Sequence, residues 1–353
     1  YPLIDGKVVG CPSHLLEPQR TNLITYSEEF SQSSWSKFRG SVSPNTATSP
    51  SGVLNAYSFI EDSTNNTHVL RFTISPNTNS YTFSVFAKSF SGNRKLTLNS
   101  SISNDFAIFD IENGIVEQTL DIDNANIKNY GNGWYRCSVT KANNFGSSFD
   151  LRLNNGSSDT YLGDGTSGVY IFGAQLEQSS YPTSYIPNYG TALGVTRSAE
   201  TANGAGDAST FNDSEGVLMA EVNFDKSLSY KAISISAGNV NNSLRIYSTL
   251  IANQLVFRVR VGNADQMLKL ITLEDISQIN KLSLKYKEND FNAYVNGFKV
   301  ASSNVGSVYS DGTLDRLNLD RYDGGDDFYG SAKQIQYFDS ALTDSDLEKL
   351  TSW

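Results

Sequence analysis

The chain has 353 residues, enough for two domains of about 150 to 200 residues each. Charged residues make up only 18% of it, and the abundant Ser, Asn and Gly exclude long helices because all three are poor helix formers. The net charge of −10 excludes a nucleic-acid partner, since phosphate binding needs a basic field, and residues beyond Arg197 carry −7 of it.

No run of about 18 apolar residues occurs, so no membrane insertion is expected. The chain opens in mid-pattern at Tyr1 without an initiator Met, which reads as a fragment of a longer polypeptide or a matured product. Cys11 and Cys137 are too few and too far apart for a disulfide framework, and His14 and His68 are too isolated for a zinc site.

Period-two alternation, the mark of strands with one buried face, recurs along the chain. Tyr81, Phe83, Val85 and Ala87 share a face, as do Leu96 with Leu98, and Phe149 with Leu151 and Leu153. Turn signals at 91–93, 112–114, 131–133 and 154–157 separate these strands at sandwich-like spacing. In the strand 134–140, Cys137 is in phase with Tyr135 and Val139, which predicts a buried thiol and puts Trp134, Arg136 and Ser138 on the opposite face. A strand at 169–176 closes the first unit.

Residues 181–210, with Pro182, Pro187 and little apolar periodicity, read as a linker or inter-domain strap between a domain at 1–180 and another at 211–353. Strands resume at 216–222. In 255–261, Leu255, Phe257, Val259 and Val261 oppose Val256, Arg258 and Arg260. Asn296-Gly297 predicts a two-residue type I′ hairpin with both residues at positive φ, which keeps Phe291, Ala293 and Val295 on one face. Thr343 is the predicted N-cap of a short final helix, with Asp346 at N3 and Leu342 and Leu347 placed for a hydrophobic staple. The expected fold is all-β: two tandem antiparallel β-sandwich (jelly-roll) domains with a short C-terminal helix.

The segment HLLEPQRTNLITYSEEF, followed by Trp35, then GNGWYRCSVT at 131–140 and GDGTSGVYIFGAQLEQSSYPTSYIPNYGTALGVTRSAE, resembles bacteriophage tail-fibre and other virion adhesion proteins. The likeness covers roughly residues 11 to 200. It implies a carbohydrate-binding-module-like jelly roll, a homotrimer and a place on the virion surface among other virion proteins. LSLKYKENDFNAYVNGFKVASS at 282–303 and GSAKQIQYFDSALTDSDLEKLTS at 330–352 resemble the laminin-G-like or concanavalin-A-like lectin fold. That superfamily holds lectins, adhesins and also hydrolases and lyases, so fold alone leaves activity open.

Sandwich glucanases usually present E-x-D-x-x-E from one strand, and the sequence has no such pattern; Glu274 and Asp275 in LEDIS offer no third carboxylate in phase. Neither histidine has the Gln/His and Tyr-rich context of an alginate-lyase-like site. The chain is therefore read as not an enzyme, with a polysaccharide depolymerase or lyase, or a structural decoration module, as alternatives.

Asp323, Asp326 and Asp327 around Gly324-Gly325 can supply oxygen ligands to Ca²⁺, or can form a solvated loop with Arg316 and Arg321 as partners. Asp159 and Asp164 are a second, weaker candidate. For sugar stacking the candidates are Trp134, which is either exposed or packed under a loop, and Tyr322 with Tyr329 beside the acidic loop. Arg258 and Arg260 share a strand face and either meet an anionic glycan or pair with nearby carboxylates. The expected partner is a host surface polysaccharide.

Overall fold

The computed structural model describes residues 13–74, 79–100, 105–142 and 146–353, together with a short strand pair, Leu3–Ile4 and Lys7–Val8. Cys11 lies outside the described residues. Two compact units form: one holds residues 19–198 with that strand pair, the other residues 13–18 and 199–353.

The first unit is a sandwich of two antiparallel six-stranded sheets. One sheet runs in the order Asn124–Gly131, Trp134–Lys141, Tyr81–Ser91, Gly168–Glu177, Leu54–Glu61, Gly40–Thr48. The other runs Ile115–Leu120, Phe106–Asp110, Lys95–Ser100, Ser148–Asn154, Val69–Thr73, Trp35–Phe38. The predicted stripes fill the space between them: Phe83, Val85, Ala87 and Cys137 meet Leu96, Leu98, Phe149 and Leu151, all fully buried. Phe83 and Phe149 join the layers with ring centroids 5.4 Å apart. Burial of about 25 cal/mol per Å² of such apolar surface is what offsets the ordering of both sheets.

The outer face of the first of these sheets is buried too. Trp134, Phe86, Phe172 and Ala56 form a small second core there, and Trp134 Nε1 donates to the Thr48 carbonyl at 3.0 Å. Gly173, at φ 57, makes this two-sided packing possible. The strand bulges there, so Ile171 and Leu176 face the main core while Phe172 and Gln175 face outward. A Cβ on Gly173 would press on the Phe86 and Tyr185 rings at 3.0 and 3.1 Å.

Residues 181–197, expected as part of a linker, pack onto this face. Arg136 donates to the Thr183 carbonyl at 2.6 Å, and Ile186 N–H to the Gln175 side chain at 2.6 Å. Asn22, fully buried, donates to the Ile186 carbonyl at 2.7 Å. Val195–Arg197 pairs with Arg20–Asn22.

The second unit sets a six-stranded sheet against a five-stranded one. The first runs Phe298–Ser303, Phe291–Val295, Asn280–Lys287, Glu215–Phe224, Gly330–Phe338, His14–Leu16. The second runs Ala264–Thr272, Gln254–Val261, Ser243–Ser248, Ala232–Ser236, Arg316–Asn318. Leu218, Ala220, Leu282, Leu284, Ala293, Ile233, Leu244, Ile246 and Phe257 fill the core. Asn296 and Gly297 form the expected two-residue hairpin, at φ 49 and 88, with Val295 opposite Phe298. The helix Asp344–Thr351 is capped by the Thr343 side chain accepting from Asp346 N–H, and Leu347 is buried against Val217 and Tyr294 with Leu342 beside it.

Candidate functional site

The five-stranded sheet of the second unit turns a second set of side chains away from its core. In Ser243–Ser248, Leu244 and Ile246 face inward, so Arg245 and Tyr247 face outward; in Gln254–Val261 the same alternation turns out Val256, Arg258 and Arg260. The register places Ser234 and Arg258 on either side of Arg245, Val256 beside Tyr247, and Ser243 beside Arg260. Two of the arginines expected from sequence thus stand next to a third, Arg245, and two like charges face each other directly across the strands, an arrangement that costs stability.

The guanidiniums are not equally compensated. Arg258 makes a bidentate pair with Asp265 at 2.7 and 3.0 Å, and this bond holds its pKa above the ordinary range. Arg260 lies 3.6 Å from the same carboxylate and donates to the Asn263 carbonyl at 3.1 Å. Arg245, only 5% exposed, makes no ion pair among the described residues. Its guanidinium lies over two rings instead, 5.2 Å from the Tyr247 centroid and 5.1 Å from that of Tyr322. Burial, and then the Arg258 charge, pull its pKa down from the ordinary value, although an arginine stays protonated.

Tyr322 reaches this face from the acidic loop at a conformational cost. Its φ is 146°, a region that a bulky residue rarely adopts and that costs about 1 to 3 kcal/mol. Its ring is contacted by Arg321 on one side, at 5.5 Å, as well as by Arg245. Asp320, 1% exposed, braces the turn by accepting from Gly324 N–H at 3.1 Å, and burial raises its pKa.

The carboxylates of the acidic loop, expected as calcium ligands, have partners within the protein. Arg321 donates to Asp323 at 3.1 and 3.0 Å and to Asp326 at 3.3 Å, so its guanidinium neutralises both carboxylates. It holds Asp323 below the usual carboxylate range. Asp327 accepts instead from Tyr329 Oη at 3.1 Å. Among the described residues no group of three His, Cys, Asp or Glu is arranged to hold a metal ion. Asp159 and Asp164 are likewise engaged, Asp159 by Thr97 and Asn154, Asp164 by Thr166 and Ser167.

Tyr322 and Arg258 therefore meet at Arg245, with Arg260 next along the same strand face, whereas Tyr329 is tied to Asp327 and Trp134 belongs to the first unit. Trp134 is 2% exposed and forms the floor of a groove of about 380 Å³ with Tyr130, Lys88 and Asn132 on its walls. Packing beneath the segment at Thr48 accounts for its position. Arg245, Tyr247 and Asp265 went unselected, although the alternation in SLRIYS already puts Arg245 and Tyr247 opposite Leu244 and Ile246.

The second unit also carries a cleft of about 490 Å³ with Asp225, Asn253, Glu274 and Asp275 on its polar side and exposed Leu228 and Ile251 on its apolar side.

The fold and this face define a two-sandwich β-protein with an outward arginine–tyrosine surface on its second unit. No family model and no curated protein matches the sequence. Among solved structures, the chain is similar to domains LG4-5 of the mouse laminin alpha1 chain, at 11% identity over 97% of this chain and 96% of that one, with a TM-score of 0.29. It is similar to a heptameric SAP-like pentraxin from Limulus polyphemus, at 14% identity over 39% of this chain and 70% of that one, with a TM-score of 0.32. Sheep galectin-11 gives 8% identity over 39% of this chain and 95% of that one, with a TM-score of 0.25. Likeness this low says nothing of ligand or activity, and the sandwich class rests on the strand pairing itself.

Proposed function

We propose that the chain is a glycan-binding adhesion protein of a virion surface, of the bacteriophage tail-fibre kind, which holds a host surface polysaccharide on the arginine–tyrosine face of its second unit. The observation that carries this reading is the assembly of Tyr247, Tyr322, Arg245 and Arg258 on one sheet face. Sugars are held by aromatic rings against their apolar faces and by fixed donors to their hydroxyls, and this surface offers both. The rings are set before binding, which lowers the ordering cost that weakens flexible sites.

The virion setting rests on the order of the N-terminal motifs, and trimerisation goes with it. Binding, not bond cleavage, is the role assigned, because the face offers donors and rings while its carboxylate Asp265 is committed to Arg258.

The test is retention of the full chain on intact bacteria and on an array of bacterial surface polysaccharides. Binding to at least one polysaccharide, with no release of reducing ends or unsaturated uronates, is expected. An array without any bound polysaccharide refutes the reading, and released ends favour a depolymerase.

A further inference from the structure

Arg245 is arranged as no other charged residue of the face is. Arg258 and Arg260 share Asp265, and Arg321 is held by Asp323 and Asp326, so each has a carboxylate beside it. Arg245 has none, and its side chain makes no hydrogen bond within the described residues. Its Nε, like that of Arg260, is sealed from water without an acceptor. The hydroxyls of Ser234, directly across the strand pair, and of Ser243, two residues along, are likewise buried without partners. Both serines are fully buried.

Unsatisfied polar groups thus line this face at Ser234, Ser243, Arg245 and Arg260, although buried donors and acceptors are nearly always paired. A buried charge without a counter-ion is costlier still. The chain nevertheless keeps a guanidinium there, braced by two tyrosine rings, one of them on a strained backbone. Strain at Tyr322 beside a guanidinium without a carboxylate points to a ligand group that completes the pairing.

We infer that Arg245 is the subsite for the carboxylate of an acidic sugar, which its guanidinium receives between Tyr247 and Tyr322 while the rings take the sugar's apolar face. The inference rests on the glycan-binding reading and narrows it to an acidic saccharide. A carboxylate matches the guanidinium fork, and two parallel N–H···O bonds fix its orientation. The charge balance limits the ligand to sparse charge. The face has one uncompensated guanidinium, whereas residues beyond Arg197 sum to −7, so a polyanion charged on every sugar is repelled where one carboxylate per repeat of several sugars is accepted. Arg245 is also the reader of acidic against neutral sugars, since an unpaired buried charge disfavours any ligand that leaves it unmet.

The experiment uses the full chain and a panel of bacterial capsular polysaccharides, each in its native form and after chemical reduction of its carboxyl groups to alcohols. Native acidic polysaccharides should bind, and carboxyl reduction should weaken them by about 10- to 100-fold, as expected for a lost charge-assisted hydrogen bond. Arg245→Met should abolish the difference between native and reduced forms, and Arg245→Lys should restore part of it. Thermal unfolding of Arg245→Met gives an answer that needs no ligand. A melting temperature equal to or above that of the parent agrees with a residue kept for binding, whereas a fall of several degrees assigns Arg245 to structural support and overturns the inference. Equal binding of native and reduced polysaccharides overturns the acidic subsite but leaves glycan binding standing. Absence of binding to every polysaccharide, native or reduced, removes the reading beneath it as well.

Discussion

Replacing Arg94 with Met should unbalance the buried polar cluster around Glu61 in the first unit. Glu61, 2% exposed, accepts from Arg94 Nε and Nη2 at 2.7 Å each, from Tyr161 Oη at 2.6 Å and from Asp164 N–H at 2.9 Å. Burial pushes its carboxyl up, and the Arg94, Tyr161 and Asp164 bonds more than offset this and hold it below the usual range. Without the guanidinium, a carboxylate stays buried with no counter-charge, which costs about 3 to 5 kcal/mol. For a unit of this size that is a fall in melting temperature of roughly 6 to 20 °C. Tryptophan fluorescence follows the unit selectively, because Trp35 and Trp134 are buried within it whereas Trp353 is 70% exposed.

The pH dependence gives the sign. In the parent, the depressed Glu61 pKa contributes stability above the unfolded carboxyl value of about 4.3 that is lost as pH falls through the folded value. In the variant, burial is opposed only by the Tyr161 and Asp164 bonds, so the Glu61 pKa rises relative to the parent and protonation relieves part of the penalty as pH falls through the carboxyl range. The gap between the two proteins should be widest near pH 7 and shrink on acidification. A gap below about 1 kcal/mol at pH 7, or one of constant size down to pH 4, would refute the account of this cluster.

Three further outcomes follow from the same geometry. Cys137 is fully buried and burial pushes its thiol well up, so thiol reagents should leave it unmodified in the native protein and label it once guanidinium unfolds the first unit, as mapped by peptide mass spectrometry. Gly297→Ala places a Cβ 2.8 Å from Ser352 Oγ at φ 88, and calorimetry should show the second unit destabilised by about 1 kcal/mol or more while the tryptophan transition stays put. Because Arg321 and Arg94 supply the positive charge in the two acidic loops, millimolar Ca²⁺ and chelator should give superimposable melting curves; a rise of several degrees with Ca²⁺ would restore a metal site at Asp323, Asp326 and Asp327.

Much of the sandwich was legible because period two reads directly as facing. The stripes through Phe83, Leu151, Leu244 and Phe257 are core, and Asn296-Gly297 and Thr343 specify their turn and cap locally. Facing is not exposure, however. Trp134 does point away from the main core, but Phe86, Phe172 and the segment at Thr48 bury it. Residues 181–197 look like a linker because side chains such as Asn22, Gln175 and Arg136 hold them, and such bonds leave no apolar period. His14–Leu16 pairs with Gly330–Phe338, a partnership too distant in sequence for any local signal. The charged face shows the same limit. Alternation puts Arg258 and Arg260 outward, yet only the fold reveals that Asp265 serves both and that Arg245 is left without a carboxylate.

The most direct measurement is the affinity, by isothermal titration, of the full chain and of a Tyr322→Ala/Arg258→Ala variant for a polysaccharide retained on the array. The account predicts that the variant keeps its circular dichroism and its melting profile while its affinity falls at least 10-fold. Undiminished affinity in the folded variant would contradict it and place the sugar elsewhere on the molecule.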